Sequence, residues 1–335
     1  MKRFTANFLI LVLSSGLALA LAEFSVRELM PMYAPGSAAK LHYYPQHELI
    51  LGLKNSIGRQ WDKMGEFNVE VRFNDLGLRD DKDVRTSQRR DIVLLGDSFM
   101  VGHGIEASMR CGDIAEVLAA KRIFNAAIGR SDLDDYRRIH EYLLERGAKA
   151  SRIILGVFLG NDLRDYAKPK PPPNLTVTQR LKSWLEGRSA LYRSAATVIK
   201  QVPATASVAR YFDLLESAST SDRPIPDEVI MSSADQVSLL TEGFDALVLL
   251  VPTKEYWIPE SGGTQRATHH AFLGALRERG LTVLDWAEGI SDSEHALSLY
   301  FNADGHWNNA GHRRCGELLG TWIAQNWPDG ATQQR

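Results

Sequence analysis

Three residue types that acyl transfer requires stand at two distant places in this chain. One is the serine of Gly96-Asp97-Ser98; the others are the carboxylate and imidazole of Asp304-Gly305-His306. A serine hydroxyl is poorly reactive until a base within hydrogen-bond reach takes its proton, and a carboxylate beside that base orients it and stabilises its charged form. His306 is the best placed of the nine histidines, because it lies in a Gly- and Asn-rich loop just before the last helical pattern. The tetrahedral intermediate also needs fixed donors for its oxyanion. The Ser98 N–H, the N–H of Gly129 and the side-chain amide of Asn161 are the candidates. Each follows an apolar run: Ile-Val-Leu-Leu before 96, Asn-Ala-Ala-Ile before 129, and Val-Phe-Leu-Gly before 161.

These runs read as buried strands cut off by turn residues. The spacing predicts strands over 92–95, 122–128, 152–159, 246–251 and 281–285. Helices are expected over 113–121, 133–146, 233–242, 265–279 and 309–325. Strands alternating with helices imply an α/β fold, with a five-stranded parallel sheet between two helical layers. In such a sheet the strand carboxyl ends carry the chemistry, and three of the five candidate positions, Ser98, Gly129 and Asn161, fall there. A Pro-rich loop at 168–174, helices at 178–200 and 204–217 and a polar link at 221–227 form a helical insertion, about 165–235. The main domain therefore spans 91–330. Residues 31–90 are irregular apart from a strand-like stretch at 69–73, and are expected to pack on that domain as an N-terminal extension.

The first thirty residues are a separate matter. Met1-Lys2-Arg3 precedes an apolar stretch from Phe8 to Ala22, a charged start and apolar middle that signal export. Ala18-Leu19-Ala20 and Ala20-Leu21-Ala22 fit a cleavage site, while the amphipathic continuation toward Met30 fits a retained anchor. Either outcome places the rest of the chain on the extracytoplasmic, periplasm-like side, with Lys2 and Arg3 inside if the anchor stays. A formal net charge of −2 offers no nucleic-acid footprint. No phosphate-binding glycine loop or zinc-type Cys/His spacing occurs, and the chemistry described needs neither metal nor organic cofactor. Cys111 and Cys315 are the two cysteines, and in an exported chain they fit either a disulfide or two separate buried thiols.

Gly-Asp-Ser at 96–98, Gly-Asn-Asp at 160–162 and Asp304 with His306 resemble blocks of the SGNH hydrolases, the GDSL-type esterases and lipases. The resemblance runs from Asp91 to the last helix, leaving out the insertion. It implies a three-layer, flavodoxin-like α/β/α domain, with Ser98, Gly129, Asn161 and His306 as the four residues that name the family. Two departures stand out. The family's glycine commonly falls five residues after its asparagine, whereas Gly129 is four after Asn125 and Arg130 holds the fifth place, so either N–H could serve. The family's Asp and His are usually three apart and here are two apart. That spacing, and Val251-Pro252-Thr253-Lys254-Glu255, are similar to the alginate O-acetyltransferase-like branch. The resemblance implies a serine-dependent hydrolase of short acyl or acetyl esters. An O-acyltransferase acting on an envelope polysaccharide needs the same groups, and a non-catalytic polysaccharide-binding scaffold is the third reading. Trp307, Tyr256 and Trp257 could line a groove for an acylated carbohydrate, or simply pack. His103, five residues after Ser98, is within reach of the site but is expected in a capping or surface role. Asp97 is expected to hold the turn around Ser98.

Overall fold

Five strands run parallel through the centre of the larger unit: β5 (Ile92–Leu95), β6 (Ile123–Asn125), β7 (Arg152–Phe158), β8 (Asp245–Val251) and β9 (Val283–Asp285). Their order is β6-β5-β7-β8-β9, every neighbour parallel. The computed structural model describes residues 2–35, 38–62, 66–163, 177–201, 224–259 and 262–328. The loop expected at 168–174, the helix at 204–217 and the start of the link at 221–227 lie outside these residues.

The strands are apolar on both faces because both are covered. Val93, Leu95, Ile153, Leu155, Val248 and Leu250 face one core with the helices Leu133–Glu145, Asp227–Thr241 and Gly263–Glu278. Their neighbours Ile92, Leu94, Ile154, Leu247 and Leu249 face another with the helices Cys111–Ala119 and Asn309–Asn326. The two-residue strand period thus separates two cores, and each fully buried Ile or Leu contributes roughly 2 kcal/mol. The last helix lies close against Cys111–Ala119, since a Cβ at Gly316 or Gly320 would stand 2.5 or 2.8 Å from the Cβ of Ile114 or Leu118. The Leu133–Glu145 helix starts in a capping box, Asp132 with Asp135.

Chain order reverses at β5: β6 lies on one side of it and β7 on the other. The crevice beyond the carboxyl ends of β5 and β7 is the position where doubly wound sheets bind ligands.

The chain forms two compact units, one of residues Met1–Ala38, Trp61–Asn68 and Lys170–Ser219, the other of Ala39–Gln60, Val69–Pro169 and Thr220–Arg335. Within the larger unit, the region expected to be irregular holds β1 (Leu41–Tyr44) and β2 (Leu49–Gly52), an antiparallel pair. Leu49, Leu51, Leu76, Leu78 and Val84 enter the first core. β3 (Ile57–Trp61) pairs with β4 (Asn68–Arg72), where the sequence suggested only 69–73.

In the smaller unit the helix Lys2–Leu29 is continuous, and from Asn7 to Leu29 it is long and apolar enough to cross a membrane. Glu23 accepts from Ser189 Oγ at 2.8 Å and from the Ala190 and Leu191 N–H groups at 2.9 Å each. Its carboxylate so caps the helix Ala190–Gln201 from outside, while Arg27 donates to the Arg188 carbonyl at 2.7 Å. The stretch expected as one helix over 178–200 is two, Val177–Glu186 and Ala190–Gln201, parted at 187–189.

Candidate active site

Ser98 begins a one-turn helix, Ser98–Val101, directly off β5. Gly96 permits the turn: its φ is +153°, and a Cβ there would lie 2.3 Å from Met100 Cγ and 3.1 Å from the Gly156 carbonyl. Asp97 is the N-cap, its Oδ1 accepting from the Phe99 N–H at 2.9 Å. Asp97 and Phe99 are buried, which leaves Ser98 half-exposed between them.

The second half of the site comes from residues 300–308. Tyr300 and Trp307 form an antiparallel bridge, and the Phe301 N–H donates to the His306 carbonyl at 2.9 Å. Asn308 caps the last helix and donates Nδ2 to the Ser298 and Tyr300 carbonyls. Lys254, just past β8, donates to the Phe301 and Asn302 carbonyls at 2.6 and 2.8 Å. The loop so held presents His306 to Ser98, with Ser98 Oγ donating to Nε2 at 2.7 Å. On the other side of the ring Nδ1 donates to Asp304 Oδ1 at 2.5 Å, and the same oxygen accepts the His306 backbone N–H at 2.8 Å. Residues 208 positions apart are thus in direct contact.

Two carboxyl groups near Ser98 have opposite electrostatics. Burial works against a charge on Asp304, but contacts with His103 and His306 outweigh it and hold this carboxyl far below the usual range. Asp97 is the reverse case. Burial pushes it up to about 6, although the Phe99 N–H, His306, Ser98 and the Asn161 amide all favour its charge. Behind it, fully buried Asp162 is raised well above the ordinary value by burial and by the charge of Asp97. Asp162 accepts from the Phe158 N–H at 2.8 Å and from the Tyr136 hydroxyl at 3.0 Å. The turn below Ser98 is therefore a buried acidic network, whereas Asp304 is an ionised partner at the rim.

Asn161 stands just beyond β7, half-buried, its amide near enough to Asp97 to favour that group's charge and 3.4 Å from the Ser131 carbonyl. Gly129 lies past β6 on a loop tied to the Ser98 turn, where the Ile128 N–H donates to the Gly96 carbonyl at 3.0 Å. Among the described residues nothing lies within 4 Å of a Cβ at Gly129, so they leave this rim open. The left-handed backbone, φ +70°, belongs to Arg130 and not to Gly129. The conformation that favours glycine therefore falls at the fifth position after Asn125, where the resemblance expects it.

Some expectations are corrected. Trp307 is fully buried, stacked on Trp286 at 4.6 Å and edge-on to Phe99 at 4.9 Å, so it fills the core under the site and offers no face to a sugar. Trp257 is buried too, its Nε1 donating to the Tyr300 hydroxyl at 3.2 Å. Tyr256 is half-buried and packs on Trp257 and His269. Cys111 and Cys315 are neighbouring buried thiols in contact, not a disulfide. His103 is neither cap nor surface residue: its ring stacks on His306 at 4.2 Å, and Nε2 stands 3.6 Å from Asp304 Oδ2.

Gln60 carried no signal in the sequence, and Lys254 stood out only as part of the segment 251–255. Gln60 comes from β3, and only the fold brings it to His103, with Nε2 2.6 Å from Nδ1. Its Oε1 accepts the Gly104 N–H at 2.9 Å, which fixes which end of the amide faces the ring. Nδ1 of His103 must then accept, and its ring proton sits on Nε2. His103, Asp304 and His306 bring three donor atoms within 4.8 Å of one another, the spacing of a metal site. With a proton on Nε2, however, His103 offers Asp304 an N–H and not a lone pair. The arrangement can take a proton from an alcohol, carry it on an imidazole and keep the resulting charge beside a carboxylate.

No protein-family model matches the chain, and no curated protein matches it. Solved structures do resemble it over about 70% of its length. A lipase/acylhydrolase from Enterococcus faecalis has 14% identity and a TM-score of 0.40, covering 70% of this chain and 96% of that one. A member of the lipolytic protein G-D-S-L family from Veillonella parvula has 11% identity and a TM-score of 0.39, covering 68% and 94%. A carbohydrate esterase family 2 enzyme from Corynascus thermopiles (Myceliophthora fergusii) has 15% identity and a TM-score of 0.40, covering 71% and 67%. At such values none of these proteins lends its activity to this chain. By its sequence blocks, its strand order and the contacts of Ser98 with His306 and of His306 with Asp304, the chain resembles the SGNH hydrolases.

Proposed function

We propose that this chain is a serine-dependent hydrolase of acyl esters, with Ser98 as nucleophile, His306 as general base and then acid, and Asp304 as the carboxylate that orients it. The observation that carries this reading is the unbroken contact from Ser98 Oγ through His306 to Asp304, 2.7 and 2.5 Å, at the reversal point of a parallel sheet. Ser98 Oγ attacks the ester carbonyl while His306 Nε2 takes its proton. The Ser98 N–H, the Asn161 amide and an N–H at Gly129 or Arg130 receive the oxyanion. His306 returns the proton to the leaving alcohol, and water then releases the acyl group by the same route.

The open rim beyond Gly129 fits a short acyl group, acetyl foremost, on a bulky alcohol such as a carbohydrate. The continuous helix Lys2–Leu29, tied through Glu23 and Arg27 to residues 188–191, favours a retained anchor over cleavage at Ala20 or Ala22. The intact mass of the membrane-extracted protein tests that point.

A serine-reactive phosphonate tests the chemistry. Labelling of the wild type that disappears in Ser98→Ala, together with turnover of acetyl esters, is the expected result. An unlabelled, inactive wild type would leave the scaffold reading standing. If an acetyl donor supplied with oligosaccharide gives acetylated sugar faster than free acetate, the reaction is transfer and not hydrolysis.

A further inference from the structure

Asp304 has two oxygens and His306 uses only one. Oδ1 takes both the Nδ1–H and the backbone N–H of His306, while Oδ2 faces His103 at 3.6 Å. The Asp304 side chain is about a quarter exposed, on a loop. A carboxylate placed so can turn about its own bond toward water and carry Oδ1 away from the imidazole.

We propose that His103 is the positioning residue that prevents this turning: its Nε2–H faces the free oxygen of Asp304 and keeps Oδ1 on the imidazole that receives the Ser98 proton. The inference rests on the hydrolase reading given above. Three linked contacts support it. The Gly104 N–H sets the Gln60 amide, the amide sets the His103 tautomer, and the tautomer puts the single ring proton toward Asp304. At 3.6 Å the last contact is longer than a good hydrogen bond, so it acts chiefly as an N–H dipole aimed at a charge. The stacked His103 and His306 rings, 24° from parallel, also fix the plane of the base. Among the described residues, the charged and titratable groups acting on His103 include Asp304, His306 and Arg79. Burial, together with His306 and Arg79, outweighs the pull of Asp304 and lowers His103 below the ordinary histidine value, so the ring stays neutral with one proton to place.

The test compares His103→Phe, which keeps a ring to stack but has no N–H, with His103→Gln, whose amide can still donate at similar reach. Both are made in the full chain and assayed on an acetyl ester. Phe should lower kcat by about 10- to 100-fold with KM nearly unchanged, the scale expected for a slightly misplaced group, and Gln should restore most of the loss. The far-downfield proton resonance of the His306–Asp304 bond should move or vanish in the Phe variant and persist in the Gln variant. Gln60→Met, which releases the tautomer, should shift it in the same direction by less. A Phe variant with wild-type kcat and an unmoved resonance overturns the proposal, as does equal impairment by Phe and Gln. The resonance needs no substrate, so it judges His103 even if the wild type and Ser98→Ala prove equally inactive and the hydrolase reading fails.

Discussion

The two halves of the site are built in different ways. The turn that carries Ser98 belongs to the core, with Gly96 and Asp97 buried, β5 behind it and the acidic network of Asp97, Asp162 and Tyr136 beneath. The loop that carries Asp304 and His306 is partly exposed at its tip, and side chains from elsewhere in the fold hold it, Lys254 and His103 among them. Ser98 is therefore placed by the same packing that makes the protein fold. His306 is placed by a few polar ties that the fold could survive without. Substitutions that disturb the packing of the first region should cost stability as well as activity; those in the second should cost activity alone.

The largest effect removes what both regions share. Ser98→Ala should lower ester turnover by about a thousandfold or more, with thermal unfolding unchanged, as assayed by kcat and calorimetry. Next, Gly96→Ala should destabilise the protein by about 3 kcal/mol, because φ +153° and a Cβ 2.3 Å from Met100 Cγ are both unfavourable. A Gly96→Ala protein that melts with the wild type would show that the turn is not part of the core.

Asp97 offers a pH test of the same region. Its folded value, about 6, lies above the unfolded value of 3.8, so the folded state binds the extra proton between them. That contribution to stability is present at low pH and is lost as pH rises from roughly 4 to 6. Asp97→Asn keeps an oxygen to cap Phe99 but cannot ionise. Relative to the wild type it should gain stability across that window, by up to about 3 kcal/mol above it. Denaturant melts of both proteins at several pH values measure the difference, and parallel curves would refute the assignment. The smallest effect belongs to the second region. Lys254→Met removes two bonds to the loop backbone and should lower kcat by about tenfold, with the melting temperature hardly moved. A large stability loss there would erase the contrast between the two halves.

Much of this architecture was legible in the chain. The apolar runs ending in Gly96-Asp97-Ser98 and Gly160-Asn161-Asp162 predict strand ends, because an apolar run must be buried and a turn must follow it. Ser98 and His306 stood out as chemistry without an evident structural task. The aromatic residues left groove and packing open, since Trp307 has the composition of a sugar platform and the environment of a core residue. Burial of a single side chain depends on what lies across the layer, here Trp286, 21 residues away in sequence. His103 was undervalued for a similar reason: its partners Gln60 and Asp304 lie 43 residues before it and 201 after it, and no local periodicity connects them.

Sequence alone determined the alternation of strands and helices, the apolar N-terminal segment and the residue types able to pass a proton from alcohol to imidazole, because hydrophobic period and side-chain chemistry are local properties. Tertiary structure decided which oxygen of Asp304 meets which histidine, which ring nitrogen of His103 holds the proton, and that Lys254 holds the loop. Those are matters of direction and of distances of a few ångströms between segments far apart in the chain, and only the assembled sheet with its covering helices sets them.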